Sequence, residues 1–176
     1  MKKVILITLL LAFPLVCFAQ DAVTQASYNY DKELLEYGIR FIPPNGWKRT
    51  EETKNPDNTI PIFFEHPDNL ANICITSPLE TPTESHFNSV MSLFRDGIGL
   101  RKGQRVLSEE KITLCDVPCY VFIVEQELGE VTAKAKFHNF FKDGKTYHIT
   151  YTSTYEDFDR FLPEFEKALN SFEVVE

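Results

Sequence analysis

The side chains with the most chemistry to offer are cysteines and histidines. Cys115-Asp116-Val117-Pro118-Cys119 sets two thiols across a short turn. With Leu114 opposite Tyr120 and Ile112 opposite Phe122, a three-residue turn brings the two Cα atoms within the bridging range of about 4.4–6.8 Å. The pattern predicts a disulfide, Cys115–Cys119, clipping a hairpin tip. A redox-active dithiol, or a bond from Cys74 to one of the two, are the alternatives. Three spacer residues depart from the Cys-x-x-Cys redox pattern, and so small a ring constrains the unfolded chain only modestly.

His138 and His148 are the second constellation. They lie on two strands joined through Lys142-Asp143-Gly144. A three-residue turn there, with Gly144 at positive φ, sets Phe137 against Ile149 and Ala135 against Tyr151. His138 then faces His148 on the other side of the hairpin, which makes half of a zinc or copper site. The sequence names no third ligand, since His66 and His86 lie elsewhere, so two partly exposed strand histidines are the competing reading. Trp47, just after Pro43-Pro44-Asn45-Gly46, is a candidate recognition anchor, because tryptophan is favoured at binding hot spots. The alternative is a ring that plugs the end of a core. Catalytic patterns are missing. No serine stands in a Gly-x-Ser-x-Gly setting, and no glycine-rich phosphate loop precedes a helix. Glu109-Glu110 and Glu125/Glu127 read as solvated strand edges. The expectation is a non-enzyme without a resident cofactor.

The elements that must carry these residues follow from periodicity and turn residues. Strands are expected at 37–42, 60–65, 72–76, 106–114, 120–127, 131–141 and 145–153, punctuated by Pro-Pro-Asn-Gly, His66-Pro67-Asp68-Asn69 and Lys142-Asp143-Gly144. Val121-Phe122-Ile123-Val124 is apolar at every position, as in a strand covered on both faces. Thr81-Pro82-Thr83-Glu84 is a helix start, with Thr81 as cap, Pro82 in the first position and Glu84 reaching back. Phe87, Val90, Met91, Phe94 and Ile98 then recur at helical spacing, and Gly97, Gly99 and Gly103 close the helix. Phe158, Phe161, Leu162, Phe165, Leu169 and Phe172 form a second amphipathic stripe, which Pro163 should kink or restart. The order predicts an α+β fold, a single antiparallel sheet flanked by helices.

The ends set the compartment. Met1-Lys2-Lys3, the apolar run 4–13 and the small-x-small pattern at Cys17-Phe18-Ala19 make a secretory signal peptide, 1–19, cut between Ala19 and Gln20; lipidation at Cys17 is the rival reading, for which Val16 is a poor preceding residue. The apolar run is too short to span a membrane and none follows it. A polar, flexible lead-in at 20–36 precedes one domain at 37–176. The 176-residue chain carries a formal charge of −8, which argues against nucleic acid and anionic membrane surfaces as partners. Fifteen Phe, seven Tyr and one Trp supply a well-filled core.

Several stretches resemble the PsbP-like fold group, which includes many exported bacterial proteins. They are Gly38-Ile39-Arg40-Phe41-Ile42-Pro43-Pro44-Asn45-Gly46-Trp47, Phe64-Glu65-His66-Pro67, Gly144-Lys145-Thr146-Tyr147-His148-Ile149-Thr150-Tyr151, and the closing run from Phe165 through Ser171-Phe172. The resemblance covers roughly residues 37–175 and implies an α/β/α sandwich that serves as a docking platform. It carries no shared active-site motif, so no functional residue is transferred. The combined expectation is a periplasmic or secreted binding module for an envelope or extracellular protein or a small ligand. A metal-binding protein using His138 and His148 is the alternative.

Overall fold

The computed structural model describes residues 34–50 and 60–175. The signal peptide with its Ala19–Gln20 cut, and nearly all of the 20–36 lead-in, lie outside the described residues. Eleven elements follow in order: β1 (Ile39–Arg40), β2 (Lys48–Thr50), β3 (Pro61–Glu65), β4 (Ala71–Glu80), α1 (Glu84–Leu100), β5 (Gln104–Leu114), β6 (Val117–Leu128), β7 (Val131–Lys142), β8 (Lys145–Thr154), α2 (Phe158–Leu169) and β9 (Glu173–Val174). Seven of the strands make one sheet, ordered β2-β3-β4-β8-β7-β6-β5, with every neighbouring pair antiparallel.

The expected single sheet is corrected at the start of the chain. The strand read at 37–42 shrinks to β1, which leaves the main sheet and pairs with β9, Ile39 opposite Val174. Gly38 makes this possible. Its φ is +69°, and a Cβ there would sit 3.0 Å from the Val175 carbonyl oxygen, so the two ends of the fold close at a backbone approach only glycine permits.

Two of the long hairpins close more tightly than expected. Asp143 (φ 51°) and Gly144 (φ 76°) form a two-residue turn, as do Cys115 (φ 50°) and Asp116 (φ 64°). Positive φ at both central positions is the turn whose twist matches that of the strands it joins. Consequently Phe137 faces Thr150, His138 faces Ile149 and Asn139 faces His148. At the other tip Leu114 faces Val117 and Ile112 faces Cys119. Cys115 is therefore a turn residue rather than the cross-strand mate of Cys119, and none of Cys74, Cys115 and Cys119 is engaged in a disulfide.

The helices lie on opposite faces of the sheet, each covering only part of its face. On the α2 face, Phe158, Phe161 and Phe165 pack on Ile73, Ile75, Val121, Phe140, Ile149 and Tyr151. On the α1 face, Phe87, Met91 and Ile98 pack on Phe122, Val124, Ala135 and Phe137. The neighbours Val121 and Phe122 belong to different cores, as expected for a strand apolar at every position. Burying each such side chain contributes roughly 1.5–3 kcal/mol.

The helix ends differ from the sequence reading. Thr83, not Thr81, caps α1, its hydroxyl accepting from the His86 N–H at 3.1 Å. Thr81 is drawn into the sheet instead, its N–H on the Gly144 carbonyl and its hydroxyl 2.6 Å from that of Thr146. α1 also runs through Gly97 and Gly99 to Leu100. Pro163 lies inside α2, which stays a single helix. Its missing N–H costs only the ladder bond to the Asp159 carbonyl in the first turn.

Candidate functional site

Strand alternation assigns each histidine candidate to one face. His138 belongs to the α2 face, where Val121 and Ile149 flank it and the Phe165 ring lies over it at 5.5 Å. It is 1% exposed. Burial, and secondarily the Lys136 charge, push its pKa down to about 3. His148 points to the opposite face. The cross-strand histidine pair is thus undone by a one-residue change of register, which moves a side chain through the sheet. Among the described residues, no group of three or more His, Cys, Asp and Glu side chains is placed to hold a metal ion.

Trp47 is 6% exposed, with its indole N–H donating to Glu164 Oε2 at 2.9 Å and its ring edge-on to His66. It plugs the core and offers no surface anchor. Cys119 is buried beside Phe140, and burial pushes its thiol up to about 12. Burial also raises Cys115, whose Sγ lies 3.5 Å from the Phe172 carbonyl oxygen.

The α1 face offers the more open ground, in two parts. The first is a groove of about 240 Å³ between α1 and the β5 edge, whose lining includes Asn88, Ser92 and Arg95 above and Glu109, Lys111 and Tyr120 below. Tyr120 OH donates to Asn88 Oδ1 at 2.7 Å, and Lys111 Nζ stands 4.2 Å over the Tyr120 ring. Arg95 reaches toward Glu109 at 3.9 Å. The groove pairs cations with an aromatic floor and hydroxyl and amide groups, which suits recognition. It holds no nucleophile beside a base.

The second part is the sheet beyond α1, on β7, β8, β4 and β3. The inward residues of the same strands are Ile73, Ile75, Ile149 and Tyr151, but those on the α1 face are Asn72, Cys74, Thr76, Asn139, His148, Thr150 and Thr152. An ordinary solvated strand face would leave such groups wet. Here Asn139 and Thr152 are each only 2% exposed, and Asn139 Nδ2 and Thr152 Oγ1 meet no hydrogen-bond partner. Glu65, on the rim, has its pKa raised by burial, partly countered by a hydrogen bond from Thr50.

Neither a family profile nor a curated protein matches this chain by sequence. By fold it is similar to the cyanobacterial PsbP protein CyanoP of Synechocystis, at a TM-score of 0.57 over 79% of this chain and 88% of that one, with 16% identity. The chain has a PsbP-like fold. A Bacteroides thetaiotaomicron protein is similar at a TM-score of 0.56, with 10% identity over 79% of this chain and 46% of that one. LpqN of Mycobacterium tuberculosis, described as involved in cell envelope biogenesis, is similar at 0.50, with 10% identity over 78% and 83%. The PsbP-like fold thus persists at identities that carry no site residue across. Its groove residues Asn88, Arg95, Lys111 and Tyr120 were not visible as a set in the sequence, because they come from two strands and a helix. Cys74, His148 and Asn139 left a trace, as polar residues recurring at every second position of apolar strands.

Proposed function

We propose that this chain is an exported, non-catalytic docking module of the bacterial envelope, taking an extended segment of a partner protein along β5 and into the α1 groove. One observation carries the reading. β5 is an eleven-residue edge strand, so among the described residues one row of its backbone N–H and C=O groups has no neighbouring strand, and the groove opens beside it. An added strand would satisfy that row, and side-chain pockets would select its sequence. Charged Arg105, Glu109, Glu110 and Lys111, with the irregularity between Val106 and Ser108, guard the edge against indiscriminate pairing. The secretory pattern of residues 1–19 supports export, and the envelope role stated for LpqN supports the setting.

The test places a photo-crosslinking amino acid at Ser108, on the exposed edge, or at Lys167, exposed on α2, in the protein expressed in its own compartment. The expected result is a discrete crosslinked partner from position 108, lost on Arg95→Glu/Lys111→Glu and absent from position 167. Equal crosslinking from both positions, or no effect of the charge reversal, removes the assignment.

A further inference from the structure

The groove beside β5 is a pair of adjoining cavities, and Asn88, Lys111 and Tyr120 line both. The larger, of about 240 Å³, also carries Arg95 and Glu109, which face each other at 3.9 Å. Arg95 is further held by Asp96 at 3.2 Å. Lys111 is different. Among the described residues its ammonium meets no carboxylate within ion-pair range, and its charge rests only on the Tyr120 ring, at 4.2 Å. That contact orders the side chain before anything binds. The neighbouring amide is ordered too. Tyr120 OH donates to Asn88 Oδ1 at 2.7 Å, which leaves the Asn88 N–H groups to donate elsewhere. An ammonium without a counter-charge and a free amide donor, lining the same cavities, make a receptor for a carboxylate. The smaller cavity, of about 120 Å³, is walled by Phe87, Pro118 and Phe141 and suits an apolar side chain. Glu84 also lines it and disfavours a second acid there.

Given the docking role of β5, on which this depends, we infer that the docked segment carries an Asp or Glu opposite Lys111 and a long apolar residue two positions along. The spacing comes from the strands. Thr113, Lys111 and Glu109 face Pro118, Tyr120 and Phe122 in turn, so these β5 residues share the α1 face of the sheet. A strand added at the β5 edge places every second side chain on that face. The residue opposite Lys111 brings its carboxylate to Nζ and to the Asn88 amide. Its neighbour two positions on, opposite Thr113, stands at the Pro118 end, where the smaller cavity lies. The residue opposite Glu109 is under no such demand, because Arg95 already answers that carboxylate. The pattern is acid-x-apolar, read in either chain direction. The charge of the whole chain sharpens the choice. At −8 overall, the protein repels an acidic segment except where that segment can reach Lys111, so charge here sets specificity more than affinity.

The experiment selects a displayed library of random peptides on the full mature protein, with a photo-crosslinking amino acid at Ser108 to report where each enriched peptide lands. The expected peptides carry Asp or Glu two residues from Leu, Met or Phe and crosslink at position 108. Replacing the acid by Asn or Gln in a synthetic copy should weaken binding about two- to fivefold, the worth of a solvent-accessible ion pair. Lys111→Glu should weaken the acidic peptide further and select Lys or Arg at the same place. Lys167→Glu, the same change of net charge on α2, should leave the affinity unchanged. Peptides that crosslink at position 108 without a preference for an acid, or whose acid-to-amide copies bind equally well, overturn the inference and leave the docking role of β5 standing. Enriched peptides that do not crosslink there, or no enrichment at all, overturn both. The peptide substitutions decide without relying on any protein variant to fold.

Discussion

His138 is an imidazole enclosed by Val121, Ile149 and Phe165, and that position sets a measurable dependence of stability on pH. Its pKa falls to about 3, mainly through loss of hydration and secondarily through Lys136 two residues away on the same face; Lys136 is itself paired with Glu166 at 2.9 Å. In the unfolded chain the same group titrates near the ordinary histidine value of 6.5. The folded state therefore refuses a proton that the unfolded state accepts at any pH between those values. Stability is fully present above about pH 6.5 and falls as pH drops toward 3. Between pH 7 and pH 5 the unfolded state gains about 1.4 pH units of proton binding free energy, or about 2 kcal/mol at 1.36 kcal/mol per unit. His138→Leu keeps a similar volume and removes Nδ1, which has no partner. The variant should be at least as stable as wild type at pH 7, and its advantage should widen by about 2 kcal/mol at pH 5. Urea unfolding followed by Trp47 fluorescence at pH 7, 6 and 5 measures the widening, because effects of carboxylates common to both proteins cancel. Parallel stability curves for the two proteins, or an imidazole resonance of His138 that titrates above pH 5, would refute the reasoning.

Trp47→Ala should cost about 3–5 kcal/mol, the range for a large aromatic removed from a core. Trp47→Phe should cost on the order of 1 kcal/mol for the bond to Glu164, both read by urea denaturation monitored by circular dichroism. Gly144→Ala puts a side chain at φ 76° in open space, so the loss should be purely conformational, about 1–2 kcal/mol, and visible as a lower melting temperature. In the folded protein Cys119 should resist alkylation at pH 8 and react on addition of denaturant, because burial holds its thiol near 12; modification in the native state at the rate of Cys74 would contradict the burial.

Elements were legible wherever one cause dominated. The α1 and α2 stripes and the doubly covered β6 followed from spacing, since a core on one side or on both writes itself into the apolar pattern. The registers were not. Choosing three-residue turns rested on matching apolar residues across β7 and β8, but β7 carries apolar residues on both faces, so the match does not discriminate. Phe137 belongs to the α1 core while Phe140, three residues later, belongs to the α2 core. The decisive clue was local chemistry. Asp-Gly is the strongest two-residue hairpin signal, and Cys115-Asp116 adopts the same backbone without a glycine to advertise it. The disulfide and the histidine pair both rested on the misplaced registers and fell with them. Trp47 was readable only as an alternative, because a tryptophan after a turn looks the same in sequence whether it points in or out.

The corrected register also sorts the residues of β4 and β8 cleanly by face. The α2 face of these strands is filled by Ile73, Ile75, Ile149 and Tyr151 under Phe158 and Phe165, so their pairing is already secured from one side. On the α1 face the residues of the same two strands are not the charged side chains that ordinarily keep a sheet face solvated. They are hydroxyls, carboxamides, a thiol and an imidazole, several of them buried. Burying Asn139 Nδ2 and Thr152 Oγ1 without partners costs stability of about 1–3 kcal/mol per group. Apolar side chains of the same size would avoid that cost at no loss to the α2 core, so the fold alone gives no reason for these residues.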